Sequence, residues 1–239
     1  RKGKGTMLEV RDLYAGYYRD LNILQGVNLT AEKGKMTAVL GANGVGKSTL
    51  LKAVYGFIKP NQGQVLLDGT DVVGTPTHRL INLGVSYIPQ QTGIFKEMSV
   101  EENLMLGAWT FQRDKVRIQL KMEENYELFP ALREKRKQRA GLLSGGQQRM
   151  VEVGRTLMTD PKLILVDEPT AGLAKLLSRE VYQMLVDLRD RAGLTIMLVD
   201  QEIRQALKIA DHVYVLELGR NKFEGPASEF TDMEKALWV

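Results

Sequence analysis

A mostly parallel α/β sheet, covered by helices on both faces and interrupted by a helical block, is the fold class this sequence predicts. Three observations predict it. Short apolar runs at Met36–Leu40, Leu163-Ile164-Leu165-Val166 and Thr195-Ile196-Met197-Leu198-Val199 have the continuous hydrophobicity of strands buried on both faces. Helix-forming stretches follow them, above all residues 176–191. From about Val100 to Leu143 the chain turns charged, helix-prone and poor in strand formers, which marks an insertion.

Taken in order, the first third is strand-like. Leu8-Glu9-Val10 and Gly26-Val27-Asn28-Leu29 alternate apolar with polar, and Glu32-Lys33-Gly34-Lys35 is a turn leading into Met36–Leu40. A turn at Pro60-Asn61-Gln62-Gly63 and the pair Asp68-Gly69 bracket Val65-Leu66-Leu67, which predicts a hairpin strand. At the far end, Val213-Tyr214-Val215-Leu216 and Lys222-Phe223 predict a hairpin turned by Gly219-Arg220. No internal repeat or Pro/Ser-rich linker divides the 239 residues, so one domain is expected.

Composition excludes several classes of function. With no cysteine, disulfides, thiolate metal sites and cysteine nucleophiles are ruled out. His78 and His212 are too few and too far apart in sequence to suggest a zinc site. No apolar run approaches the ~18–20 residues that span a bilayer. Arg1 to Thr6 is basic and Gly-rich with no apolar stretch behind it, so it reads as a disordered leader or an expression remnant rather than a signal peptide. The net charge of +4 is a mild bias that a solvated surface accounts for.

Chemistry enters at Gly41-Ala42-Asn43-Gly44-Val45-Gly46-Lys47-Ser48, which matches G-x-x-x-x-G-K-[ST] between an apolar strand and the helical Thr49-Leu50-Leu51-Lys52-Ala53. Glycines there let backbone N–H groups turn inward around phosphate oxygens, and the helix adds its positive end. Lys47 is expected to reach the β- and γ-phosphates of ATP, Ser48 to ligate Mg²⁺, and Thr49 to add a hydroxyl at the α-phosphate. The strand Leu163-Ile164-Leu165-Val166 ends in Asp167-Glu168. Asp167 is expected to hold Mg²⁺ through water, and Glu168 to orient or deprotonate the attacking water.

Leu143-Ser144-Gly145-Gly146-Gln147-Gln148-Arg149 narrows the class. It places a Ser hydroxyl and two Gly amides at a helix start, a second anion site. This segment resembles the signature motif of ATP-binding-cassette (ABC) ATPases, and the resemblance extends from about Met7 to the C-terminus. It implies a P-loop NTPase core with an N-terminal antiparallel β part (residues 7–90 and 151–239 together) and an inserted helical subdomain over about 91–150. It also implies two cassettes sandwiching two ATPs, with Ser144, Gly145, Gly146 and Gln147 acting in trans on the partner's nucleotide. Tyr17, with Tyr18 as a rival, falls where such cassettes stack an aromatic on adenine. Gln90, with Gln91 beside it, matches the glutamine that touches Mg²⁺ and the attacking water.

Two positions depart from the common family pattern. The S-A-L-D loop is Ala171-Gly172-Leu173-Ala174, and the switch histidine is Gln201 within Val199-Asp200-Gln201-Glu202. Gln201 can donate an amide N–H to a γ-phosphate but carries no charge, and His212 lies too far along the chain to replace it. These departures, with Leu13-Tyr14-Ala15-Gly16-Tyr17, Ile23-Leu24-Gln25-Gly26-Val27 and Ser99-Val100-Glu101-Glu102-Asn103-Leu104, resemble the smaller ATPase subunit of branched-chain and neutral amino-acid importers. That resemblance implies a second cassette chain, membrane permeases and a solute-binding protein as partners, at the cytoplasmic face of a membrane. Lipopolysaccharide export and a weakly hydrolysing regulatory module compete with it. No nucleic-acid partner is expected, because the basic stretch 113–139 carries only Tyr126 and Phe129 as aromatics, at helical spacing.

Overall fold

Alternating burial along the first strands builds one sheet, and continuous burial builds a second against it. The computed structural model describes residues 5–18 and 21–230. Strands β1 (Thr6–Ala15), β2 (Leu24–Glu32), β4 (Gln62–Leu67) and β5 (Thr70–Asp71) form an antiparallel sheet in the order β2-β1-β4-β5. The second sheet runs β10-β9-β3-β8-β7-β6, from β3 (Met36–Leu40), β6 (Val85–Ile88), β7 (Leu163–Asp167), β8 (Thr195–Asp200), β9 (His212–Glu217) and β10 (Arg220–Pro226). Its pairings are parallel except β9 with β10. Every residue of β3, β7 and β8 is buried, as expected for strands with helices or sheet on both faces.

The two faces of β3 separate two cores. Met36, Ala38 and Leu40 join Ile164, Val166, Ile196 and Leu198 in one apolar cluster, which includes residues of α6 (Gly145–Leu157) and α7 (Lys175–Ala192). Val39 joins Leu163, Leu165, Met197 and Val199 in the other, against α1 (Lys47–Val54) and the antiparallel sheet. The Tyr214 hydroxyl ties the sheets together, accepting from the Thr30 amide at 3.0 Å.

The expected insertion comprises α3 (Val100–Leu106), α4 (Lys115–Leu128), α5 (Pro130–Glu134) and the start of α6. α6 (Gly145–Leu157) runs unbroken through the expected boundary at about 150, with Arg149, Val151, Glu152 and Val153 all buried. Basic residues of the block are matched by acids: Lys137 with Glu101, Arg139 with Glu97, Arg133 with Glu123. Ser99 opens α3 with a capping box to Glu102.

Four sequence expectations shift. Gly5 and Thr6 of the supposed leader belong to the fold, since the Gly5 carbonyl accepts from Lys33 at 2.6 Å and β1 starts at Thr6; residues 1–4 lie outside the described residues. The terminal hairpin turns at Leu218-Gly219, both with positive φ, while Arg220 already starts β10. α1 begins at Lys47, two residues before the helical stretch read from Thr49. The strand β6 and the helix α2 (Thr77–Asn82) before it carry too short a periodic pattern to be read from sequence. The remaining helices are α8 (Ile203–Ile209) and α9 (Ala227–Phe230).

Asn103, fully buried, accepts from the Phe95 amide at 2.8 Å and donates to the Phe95 and Ser99 carbonyls, both at 2.9 Å. Asn103→Ala should lower stability by about 2–3 kcal/mol in urea denaturation, because those backbone groups lose their partner.

Candidate active site

Parallel register decides which segments meet. Leu40 of β3 pairs with Asp200 of β8, Asp167 of β7 with Val199, and Ile88 of β6 with Val166. The segments that begin at Gly41, Pro89, Glu168 and Gln201 therefore leave the carboxyl end of the sheet, where open α/β sheets bind ligands. His212 sits at the other end, paired with Thr37, its ring 5.0 Å from that of Tyr214.

The loop after β3 is shaped by close approach. Gly41 has φ 152°, and a Cβ there would stand 2.5 Å from the Leu216 carbonyl oxygen. Gly46, at φ 107°, is the N-cap of α1 and would put a Cβ 2.8 Å from Leu24 Cδ2. Asn43 and Gly44 are exposed, Val45 is half-buried and Thr49 buried. The buried Lys47 ammonium donates to the Gly41 and Ala42 carbonyls at 2.9 and 3.0 Å. It also lies 3.7 Å from Glu168 Oε1.

Both oxygens of the buried Asp167 have donors. Ser48 Oγ donates to Oδ1 at 2.8 Å, and the Tyr87 hydroxyl donates to Oδ2 at 2.7 Å. Tyr87 stacks on Tyr55 with centroids 5.4 Å apart. Burial, and then the Asp167 carboxylate, push the Tyr87 phenol far above its ordinary range, so it remains a donor.

Glu168 adopts φ 41°, a left-handed conformation that costs a non-glycine residue energy and is concentrated at functional sites. Its amide donates to the Val199 carbonyl at 2.9 Å, and its Oε2 accepts from Gln90 Nε2 at 2.9 Å. That bond places Gln90, rather than Gln91, at the carboxylate. Burial raises the Glu168 carboxyl above its ordinary range; nearby Lys47 pulls it back and Asp167 adds to the rise. Such an environment makes a stronger base than an exposed carboxylate.

Tyr17 is 55% exposed, its ring 5.6 Å from Lys52 Nζ of α1, which also donates to its hydroxyl at 3.2 Å. It therefore stands beside the helix that follows the loop, whereas the Tyr18 carbonyl accepts from the Leu21 amide at 3.2 Å. Gln201 is exposed at the same carboxyl end of the sheet, and its amide donates to Asp200 Oδ1 at 2.8 Å. Ala174 is the N-cap of α7 and offers no side-chain acceptor there.

Ser144 is the N-cap of α6, where it and Gln147 exchange bonds of 3.3 Å in a capping box. Lys135 donates to Gln147 Oε1 at 3.1 Å. Gly145 faces a cleft with Gln90, Lys96, Gln148, Ala171 and Leu173, which no residue of the 41–49 loop lines. The chain thus brings Lys47, Ser48, Asp167, Glu168 and Gln90 together, and turns Gly145 toward a cleft that its own 41–49 loop does not line.

Sequence reasoning missed Arg149. Its buried guanidinium donates to the carbonyls of Pro89, Gln90 and Pro169 at 2.8, 2.9 and 3.0 Å and pairs with Glu152. One side chain of α6 thereby ties the Gln90 segment to the loop after Glu168. The one sequence signal was a charged pair at i,i+3 on the apolar face of a helix.

This fold and loop define a P-loop nucleotide hydrolase. The family model described as ABC transporter matches residues 24–171. The high-affinity branched-chain amino acid transport ATP-binding protein BraG of Pseudomonas aeruginosa is 41% identical, with 87% of this chain and 88% of that protein covered. The "Probable branched-chain amino acid transport ATP-binding protein LivF" of Archaeoglobus fulgidus is 39% identical over 96% of both. The lipopolysaccharide export ATP-binding protein LptB of Haemophilus influenzae is 33% identical over 85% and 84%. Among solved structures, the ADP conformation of MJ1267, an ATP-binding cassette of an ABC transporter, matches with a TM-score of 0.85 at 29% identity, covering 98% of this chain and 96% of that one. The chain belongs to the ABC transporter family, and it is a nucleotide-binding transporter ATPase.

Arg149→Met should leave the Glu152 carboxylate buried without its cation. Stability should fall by about 3–5 kcal/mol in chemical denaturation, the cost of an unpaired buried charge.

Proposed function

We propose that this ATPase energises the import of branched-chain or other hydrophobic or neutral amino acids through partner permeases. The convergence of Lys47, Ser48, Asp167, Glu168 and Gln90 carries the catalytic part of the reading. The importer part is supported by 41% and 39% identity to two branched-chain amino acid transport proteins, against 33% for LptB. Ala174 and Gln201, in place of the Asp and His usual in export cassettes, favour the same branch.

In this reading the amides of residues 41–48 and the start of α1 receive the β- and γ-phosphates. Lys47 exchanges the Gly41 and Ala42 carbonyls for phosphate oxygens, Thr49 meets the α-phosphate, and Tyr17 stacks on adenine. Ser48 Oγ, the Asp167 carboxylate and the side-chain amide oxygen (Oε1) of Gln90 are hard oxygen donors, a set that fits Mg²⁺ shared with phosphates. Bound there, Mg²⁺ would neutralise charge on the transferred phosphoryl group. Glu168 takes the proton of a water whose oxygen bonds to the γ-phosphorus, and the β–γ bridging bond breaks with its electron pair leaving on ADP. Gln201 donates an N–H to the γ-phosphate.

The cleft at Gly145, which no residue of the chain's own 41–49 loop lines, supports the action of Ser144, Gly145, Gly146 and Gln147 on ATP held by a second cassette, of the same or different sequence. The segment from Gln90 to Met98, with Phe95 54% exposed, is the proposed dock for a permease. A solute-binding protein would deliver the amino acid to those permeases. Among the described residues no helix is long and apolar enough to cross a membrane, so permease subunits would hold the chain at the cytoplasmic face.

Glu168→Gln should bind ATP normally while steady-state hydrolysis falls by at least about 100-fold; undiminished turnover would remove Glu168 from the base role. Tyr17→Ala should weaken ATP binding several-fold in calorimetry, and equal affinity would move the adenine platform elsewhere. In vesicles holding the co-purified permeases, a binding protein loaded with leucine, isoleucine or valine should stimulate ATP turnover. Stimulation by lipopolysaccharide instead would reverse the importer assignment.

A further inference from the structure

Behind the exposed Gln201 lies a set of buried polar groups that the hydrolysis scheme does not use. Asp200, only 1% exposed, ends β8. Its Oδ1 accepts from the amides of Gln201 and Glu202 at 2.8 and 3.0 Å, and its Oδ2 accepts from the Tyr182 hydroxyl at 2.9 Å. Tyr182, on α7, is also buried, and its oxygen lies 3.1 Å from Thr170 Oγ1. With the Tyr182 proton committed to Asp200, the Thr170 hydroxyl is the donor in that second bond. Thr170, itself buried, sits two residues beyond Glu168.

We infer that Asp200, Tyr182 and Thr170 form a buried strap that positions Gln201 relative to Glu168. The strap joins the two chain segments that leave β7 and β8 beside each other, and its middle member stands on a third element. A charged switch residue would be drawn to a γ-phosphate over several ångströms. A neutral amide acts only through a short, directed hydrogen bond, so its backbone must already be in place. Asp200 supplies that placement by fixing two successive amides. Tyr182 then refers the position to the loop that carries Glu168. Tyr182, Asp200 and Thr170 are positioning residues and need not touch nucleotide.

The inference rests on the reading of Gln201 as a γ-phosphate donor, so the experiment separates the two. ATP turnover and ATP affinity are measured on the assembled transporter for Tyr182→Phe, Asp200→Asn, Asp200→Ala, Gln201→Ala and the double variant Tyr182→Phe/Gln201→Ala, with melting temperatures alongside. Tyr182→Phe should lower kcat by about tenfold with ATP affinity within about twofold, the signature of a group needed only for the chemical step. Asp200→Asn keeps an acceptor for both amides and can donate to the Tyr182 oxygen, so it should retain most of the turnover that Asp200→Ala loses. The double variant should be no slower than Gln201→Ala, because the strap acts through Gln201.

If Gln201→Ala turns over normally, the reading of Gln201 fails and the strap falls with it. If Gln201→Ala is slow but Tyr182→Phe is not, or if the two losses multiply, the strap alone is overturned. A drop in melting temperature with unchanged kcat would reduce the three residues to a stabilising role.

Discussion

Two carboxylates side by side at the end of a buried strand are the constraint around which this protein is arranged. Asp167 and Glu168 both lie largely out of water, where an unpaired charge is costly. Each is therefore met by groups from elsewhere in the chain. Lys47 comes from the phosphate loop, Ser48 from the first turn of α1, Tyr87 from β6, and Gln90 from the segment beyond it. The same donors and cation are what a nucleotide triphosphate would engage. A cluster that satisfies charge internally would, in the proposed reading, exchange these partners for phosphate oxygens.

The strain at Glu168 belongs to this arrangement. Its left-handed backbone turns the chain out of β7, so that the next residues run toward α6 rather than continuing the strand. There the Arg149 guanidinium receives the Pro169 carbonyl together with those of Pro89 and Gln90. The helical block is consequently not an appendage. α6 begins at the signature segment, passes through the block and inserts its one buried arginine between the two loops that carry Gln90 and Glu168. In the proposed reading, a displacement at the permease dock near Phe95 would reach the carboxylates through Gln90 and Arg149.

Much of this was legible in the sequence, and the reasons differ by feature. The 41–48 loop, the Asp167-Glu168 pair and the Ser144 helix start are contiguous, and each follows from backbone rules acting over a few residues. Tyr17 over Tyr18 and Gln90 over Gln91 were not separable, because adjacent identical residues carry no local information about which one faces the site. An end of the helical block at about 150 falls inside α6, whose buried residues lie on both sides of that position, so no local sequence signal marks a break there.

By itself the sequence determined that strands and helices alternate, that a phosphate loop joins one such pair, and that a second strand ends in two acids. Those features are written in periodicity and in uninterrupted motifs, which need no distant partner. Only the tertiary structure decided that Tyr87 meets Asp167 across 80 positions, that Arg149 reaches Gln90 across 59, and that Tyr182 holds Asp200 across 18. A phenol or guanidinium reads alike in any sequence. What it binds depends on which buried acceptors the packing of sheet and helices leaves within about 3 Å.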